Sequence, residues 1–333
     1  MSGTHRPRSG TRFCSGIGIE SFSPLRVPST IMTVAAQDQE PPSPAAGARR
    51  IESAETAFGC ARDFLENRFV YVVISPRARG LSIGVNMNPD KHCSFDCLYC
   101  EVNRNEPPVT TKLDLDVLAD ELARTIRLVR SGEIRSRTPY KDLPEELLQL
   151  RHLALSGDGE PTMSPVFVEA VQTVMHVRAR STPPFFKIVL ITNTTGMDRP
   201  EVQRGLKYFT QQDEVWVKLD AGTQAYMDRI NKAGSECDIQ RILASILFLA
   251  KQRPVVVQSL FASIRGESPS TEEVEQYARR LTELRDKGAQ ISMVQIYSAT
   301  RPTPHSDCGH LPLRTLSFIA QTVRKTGLRA EVF

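Results

Sequence analysis

The chain has 333 residues, 40% hydrophobic and 24% charged, with a formal net charge of +4. That is the make-up of a globular protein with one large or two ordinary domains, and no apolar run approaches the ~20 residues a membrane-spanning helix needs. Residues 1–50 hold +3 of the charge (six Arg against Glu20, Asp38 and Glu40), so the rest carries only +1 and lacks the overall positive charge that often marks a nucleic-acid binder.

Residues 1–50 are rich in Ser, Pro, Gly and Arg without sustained periodicity, and are expected to form a disordered extension. A single acidic residue precedes Met32, which suits either a transit segment or an over-extended start with translation beginning at Met32. Residues 51–77 read as a lead-in of helix and strand, and 78–333 as the core domain with a C-terminal helix. Strands are predicted at Tyr71–Ser75 and Leu81–Met87, the second leading directly into a cysteine-bearing loop. A helix follows over Leu113–Arg130, with Leu115, Leu118, Leu122, Ile126 and Val129 on one face.

The strand His152–Ser156 runs into Gly157-Asp-Gly-Glu-Pro161, and a helix is predicted over Pro165–Arg178. Next come the strand Lys187–Ile191 with Thr192-Asn193-Thr194 at its end, a short helix near 200–208, and the strand Glu214–Asp220. Helical sequence near 224–230 and 239–251 precedes the strand Val255–Phe261. A helix near 271–286, the strand Ile291–Tyr297 and a helix near 312–325 complete the chain. Six strand–helix units in a row predict an α/β fold with right-handed crossovers and a parallel sheet, either open or curled into a partial barrel. In both cases functional residues gather at the carboxyl ends of the strands. The polar groups near Gly157–Glu160, Thr192–Asn193, Lys218–Asp220, Gln258–Ser259 and Gln295–Arg301 fit that rule and should surround one cavity with the cysteine loop.

That loop carries Cys93, Cys97 and Cys100 in the run Cys-Ser-Phe-Asp-Cys-Leu-Tyr-Cys. Three thiolates this close can hold one metal centre, yet a closed zinc site or a closed [4Fe–4S] cluster needs four ligands. Seven Cys with three clustered point to metal chemistry in a reducing compartment, not to a disulfide framework. A structural zinc site completed by His92 is the rival reading, although adjacent ligands suit a tetrahedral ion poorly.

The triple, with Tyr99 immediately before the last Cys, resembles the signature of the radical S-adenosylmethionine superfamily. The phrases Val85–Pro89, Ser156–Thr162, Lys218–Gly222 and Gln295–Pro302 resemble a poorly characterised branch of it. That branch is related to the tRNA wyosine-base synthases and more distantly to the molybdopterin-type cyclases. The resemblance covers about residues 78–300 and implies a partial (β/α)6 barrel with mostly parallel strands. It implies that Cys93, Cys97 and Cys100 ligate three irons of a [4Fe–4S] cluster, with S-adenosylmethionine on the fourth. It further implies reductive cleavage to a 5′-deoxyadenosyl radical that abstracts hydrogen from a substrate.

By the same resemblance, backbone acceptors near Gly157, Gly159 and Glu160 hold the methionine ammonium, Tyr99 packs near the adenine, and Thr192 and Asn193 approach the cofactor. Lys218 stands where many relatives carry a Ser, which suits a methionine carboxylate or an acidic substrate. Asp220, Gln258 and Gln295 point toward ligand, and Arg301 is placed to clamp a carboxylate or phosphate. Each has a plain alternative: a turn at Gly157–Glu160 and at Thr192–Asn193, a core aromatic at Tyr99, a surface cation at Lys218 and Arg301. An electron donor of flavodoxin or ferredoxin type, a cytoplasmic setting and no membrane partner follow. The substrate stays open between a tRNA base, a small metabolite and another protein.

Overall fold

The computed structural model describes residues 57–58, 64–181, 185–234 and 237–333. The extension and start-site expectations for residues 1–50 lie outside them. The elements are β1 (Val70–Ser75), β2 (Gly80–Asn86), α1 (Leu115–Arg130), α2 (Glu145–Leu148), β3 (Leu150–Ser156), α3 (Phe167–Arg180), β4 (Lys187–Thr192), α4 (Pro200–Leu206) and β5 (Glu214–Lys218). They continue with α5 (Gln224–Ile230), α6 (Ile239–Gln252), β6 (Val255–Leu260), β7 (Ser263–Ile264), α7 (Thr271–Asp286), β8 (Ile291–Tyr297), β9 (Cys308–Gly309), α8 (Leu313–Arg324) and β10 (Ala330–Val332).

Eight strands form one curled sheet in the order β1-β2-β3-β4-β5-β6-β8-β10, and β7 pairs with β9 in a separate two-stranded ribbon. From β2 to β10 every neighbour is parallel, as a partial (β/α) barrel requires. Helices begin where side chains can satisfy their first amides. Asp114 caps α1 on Val117 N, Thr223 caps α5 on Tyr226 N, Asp238 caps α6 on Arg241 N, and Ser270 caps α7 on Glu273 N.

Two departures from the sequence pattern matter. First, β1 is antiparallel to β2, because only residues 76–79 join them and a parallel crossover needs a dozen residues or more. Second, β10 extends the sheet beyond β8. At three residues it is too short to show a period. The turn between β1 and β2 reaches the far edge of the sheet: Arg79 Nη2 lies 2.6 Å from Glu331 Oε2 of β10, and the Arg77 guanidinium lies 4.1 Å from the Tyr297 ring centroid of β8.

Alternation along the strands separates two faces. Ile83, Val85, Leu153, Leu155, Ile188, Leu190, Val215, Val217, Val257, Val294 and Ile296 pack with the helices in the main core. The opposite face lines the barrel interior, where Val189, Trp216 and Val256 form a small apolar floor with Ile191 and Met293. Tyr71 folds over Gly84 into this interior. A Cβ on Gly84 would lie 2.1 Å from the Tyr71 ring, so only glycine lets β1 lay an aromatic across β2. Tyr71 Oη then bonds Ser156 Oγ at 2.8 Å.

His152 sits in the same interior, buried, its ring edge-on to Trp216 with centroids 5.2 Å apart. Its Nδ1 has no partner, and burial, with the charges of Lys187 and Arg77, pushes its pKa down to about 3. The folded state holds the neutral ring, whereas an unfolded chain protonates it below its ordinary value of 6.5. Stability from this residue is therefore intact above pH 6.5 and falls as pH drops toward 3, by roughly 2–3 kcal/mol at about pH 4.5. Urea denaturation of the wild type and His152→Phe at several pH values should show a smaller acid loss in the variant.

Candidate functional site

The cysteine loop leaves β2 at the carboxyl end of the sheet and is laced to the end of α5. Asp96 N donates to Asn231 O at 3.1 Å and Leu98 N to Ile230 O at 2.9 Å, while Phe95 and Leu98 are buried beneath. Cys93, Cys97 and Cys100 all line one cavity of about 310 Å³. His92 is exposed and outside its wall, so the geometry brings no histidine to the three thiols. Among the described residues, no three His, Cys, Asp or Glu groups meet around one point as a single-ion site would.

Each sulfur faces a nitrogen donor from a different segment: Asn193 Nδ2 toward Cys93 at 3.9 Å, Asn231 Nδ2 toward Cys97 at 3.4 Å, and Arg104 Nη1 toward Cys100 at 3.4 Å. Donors aimed at sulfur stabilise thiolate character and tune thiolate-held clusters. Burial, assisted by Glu160, pushes the Cys93 thiol up to about 11. Burial, assisted by Asp220, pushes Cys97 to about 12. Both are protonated at neutral pH until a metal replaces the proton. Three soft donors, each with an outer hydrogen bond, fit an iron–sulfur cluster.

The second wall is the turn after β3. Glu160 N donates to His92 O at 3.0 Å, and Asn86 and Asp158 are joined by bonds of 2.7 and 3.0 Å. A Cβ on Gly159 would lie 1.9 Å from His92 O, and one on Gly157 (φ +132°) 2.3 Å from Asn86 Oδ1. These glycines let the turn dock against the cysteine loop, and both line the cavity. Glu160 is buried, and its carboxylate gathers Asn193 N at 2.7 Å, Thr192 Oγ1 at 2.5 Å and Thr162 Oγ1 at 2.6 Å. Burial raises its pKa against the pull of these bonds. Thr192 and Asn193 thus brace the site from β4, with Asn193 Nδ2 also on Ser94 Oγ at 3.0 Å.

The third wall centres on Lys218, which is largely covered at the end of β5, its side chain 12% exposed. Its Nζ donates to Tyr297 Oη at 2.8 Å, lies 3.1 Å from Asp220 Oδ1, and sits over the Tyr99 ring at 4.9 Å from the centroid. Burial pulls its pKa down, but Asp220 and Tyr297 outweigh that and raise it. Asp220 stands beneath the cavity wall, its side chain 1% exposed. It also accepts from Tyr99 Oη, from Asn231 Nδ2 at 2.9 Å and from Leu260 N at 2.8 Å.

Gln258 lines the cavity and covers Gln295, to which it donates at 3.2 Å, so Gln295 lies behind the wall. Arg301 lines the rim and is paired to both oxygens of Glu101 at 2.8 and 2.9 Å. Tyr71, Ser156 and Tyr297 also line the cavity. Tyr297 falls within the Gln295–Arg301 strand end expected around the cavity, and the same rule could have found Ser156. Arg77, Arg104 and Asn231 lie in connections with no periodic signal.

No family model matches the chain. A UPF0026 protein of Helicobacter pylori is 26% identical over 231 residues, 68% of this chain and 66% of the relative, so the chain spans about two thirds of that relative's length. A radical SAM methyltransferase from Sphaerobacter thermophilus superposes with a TM-score of 0.56 at 17% identity, covering 79% of this chain and 68% of that one. SuiB of Streptococcus suis, in a structure bound to S-adenosylmethionine, gives a TM-score of 0.50 at 12% identity over 74% of this chain and 49% of its own. The chain has the fold of these radical S-adenosylmethionine enzymes. Among the described residues, no helix is long and apolar enough to cross a membrane.

Removing Asp220 would strand the Lys218 ammonium and free Tyr99, Asn231 and Leu260 N at once. Asp220→Ala should lower unfolding free energy by roughly 3–5 kcal/mol in urea titrations at pH 7, and a loss under about 1 kcal/mol would show the carboxylate to be no anchor.

Proposed function

We propose that the chain is a radical S-adenosylmethionine enzyme. The observation that carries this reading is the cavity at the carboxyl end of the barrel. Three thiols from one loop line it, each faced by its own nitrogen donor, and no fourth cysteine or histidine stands in the described wall. Cys93, Cys97 and Cys100 would hold a [4Fe–4S] cluster. When bound and reduced, that cluster supplies the electron that cleaves S-adenosylmethionine to methionine and a 5′-deoxyadenosyl radical, which abstracts hydrogen from substrate.

The protein's part is positioning and dryness. Asn193, Asn231 and Arg104 orient the three sulfurs. The turn Gly157–Glu160 offers backbone acceptors to the methionine ammonium, and Tyr99 offers a ring face to the adenine. Thr192 and Asn193 hold that turn through Glu160. Lys218 and Asp220 set a charge pair at the cavity's edge, with Lys218 available to a methionine carboxylate. The electron would come from a flavodoxin- or ferredoxin-type donor, in a reducing compartment such as the cytoplasm.

Anaerobic reconstitution with iron and sulfide should give a brown protein that releases 5′-deoxyadenosine with dithionite and S-adenosylmethionine. Serine at any of the three cysteines should abolish both properties. Asn231→Ala should keep the fold and lower cluster retention or turnover about 10- to 100-fold. A loaded protein that binds S-adenosylmethionine and never cleaves it would refute the reading.

A further inference from the structure

Four cations stand in or against the cavity, and three are matched. Lys218 is paired with Asp220, Arg301 with Glu101, and Arg104 with Asp96 at 3.5 Å and Cys100. Arg77 is the exception. Its guanidinium stacks on Tyr297 at 4.1 Å from the ring centroid, its side chain lines the cavity, and its Nε is buried without a hydrogen-bond partner. Among the described residues no carboxylate lies within ion-pair distance of it. Arg104 Nε is orphaned in the same way, so what sets Arg77 apart is the missing counter-charge: a cation in a cavity wall with no carboxylate beside it is placed to take an anion from the cavity. Residue 77 lies in a four-residue turn whose other arginine, Arg79, already ties the turn to β10 through Glu331.

We propose that Arg77 is the recognition residue for an oxyanion carried by the substrate, a carboxylate or a phosphate. The planar fork of a guanidinium fits either group through two parallel N–H bonds. Stacking on Tyr297 fixes the plane of that fork. The contacts run from the cysteine loop through Tyr99 to Lys218, then to Tyr297, then to Arg77. Of these two cations, Lys218 thus lies beside the cysteine loop and Arg77 lies beyond Tyr297. An anion held there would be anchored away from the sulfurs, leaving the rest of the ligand to extend toward them. The assignment of the anion to a substrate rests on the radical reading; the anion site itself does not.

The test uses the full chain without cluster, so failure of the radical chemistry leaves it readable. Inorganic phosphate and malonate are titrated calorimetrically into the wild type, Arg77→Met, Arg77→Lys and Arg79→Met. Saturable binding of one or both probes is expected, and which one binds distinguishes phosphate from carboxylate. Arg77→Met should weaken it about tenfold or more, Arg77→Lys should weaken it less, and Arg79→Met should match the wild type.

In the wild type, the bound probe should also protect Arg77 from phenylglyoxal, read by peptide mass, which needs no variant. Absence of saturable binding, equal binding by Arg77→Met, or unchanged labelling of Arg77 would overturn the proposal. In the cluster-loaded protein saturated with S-adenosylmethionine, probe affinity should stay within about twofold. Competition there would give the site to the cofactor's own carboxylate and overturn the substrate assignment.

Discussion

One buried carboxylate holds the candidate site together. Asp220 follows β5 and accepts from Tyr99 of the cysteine loop, from Asn231 at the end of α5 and from the amide of Leu260 on β6, while pairing with Lys218. A charge so deeply buried is tolerable only when its lone pairs are used, and here four partners use them. Asn231 also reaches Cys97, and its carbonyl receives Asp96 N. The position of the cysteine loop is thereby tied to the barrel through Asp220 on one side. On the other, Glu160 plays the corresponding part, joining the loop at His92 to the ends of β3 and β4.

The two anchors fix the position of the cysteine loop through protein contacts alone. The sulfurs are directed by Asn193, Asn231 and Arg104, and the first two of these are themselves oriented by the anchors: Asn193 through its amide on Glu160, Asn231 through its side chain on Asp220. The fold supplies the rest. An apolar floor of Val189, Trp216 and Val256 closes the barrel below. Polar residues at the strand ends then face the cavity.

Much of this was legible in the sequence. The cysteine spacing, the order of strands β2 to β6 and β8, and the strand-end positions of Gly157, Thr192, Lys218 and Gln258 follow from short apolar runs and from the rule that loops at carboxyl ends carry function. What stayed hidden has physical reasons. Strand periodicity says that residue 218 faces the interior, but Asp220 lies past the last ladder bond and turns beneath the wall. Gln295 has the right parity and is covered by the amide of Gln258.

The need for glycine at 157 and 159 was visible, but not its cause: the surface that approaches so closely is the protein's own, at Asn86 and His92. The direction of β1 depends on a four-residue turn, and the exposed-looking Arg77 in that turn has no pattern to announce that it enters the cavity. The identity of the substrate depends on such connection residues, which no periodicity constrains.

The central claim is that three protein sulfurs leave one iron open to S-adenosylmethionine. Mössbauer spectroscopy of the protein reconstituted with iron-57 tests it most directly. The account predicts that adding S-adenosylmethionine shifts the isomer shift of one iron in each cluster and leaves the others unchanged. Four equivalent irons before and after addition, or a spectrum without a cubane cluster, would contradict it.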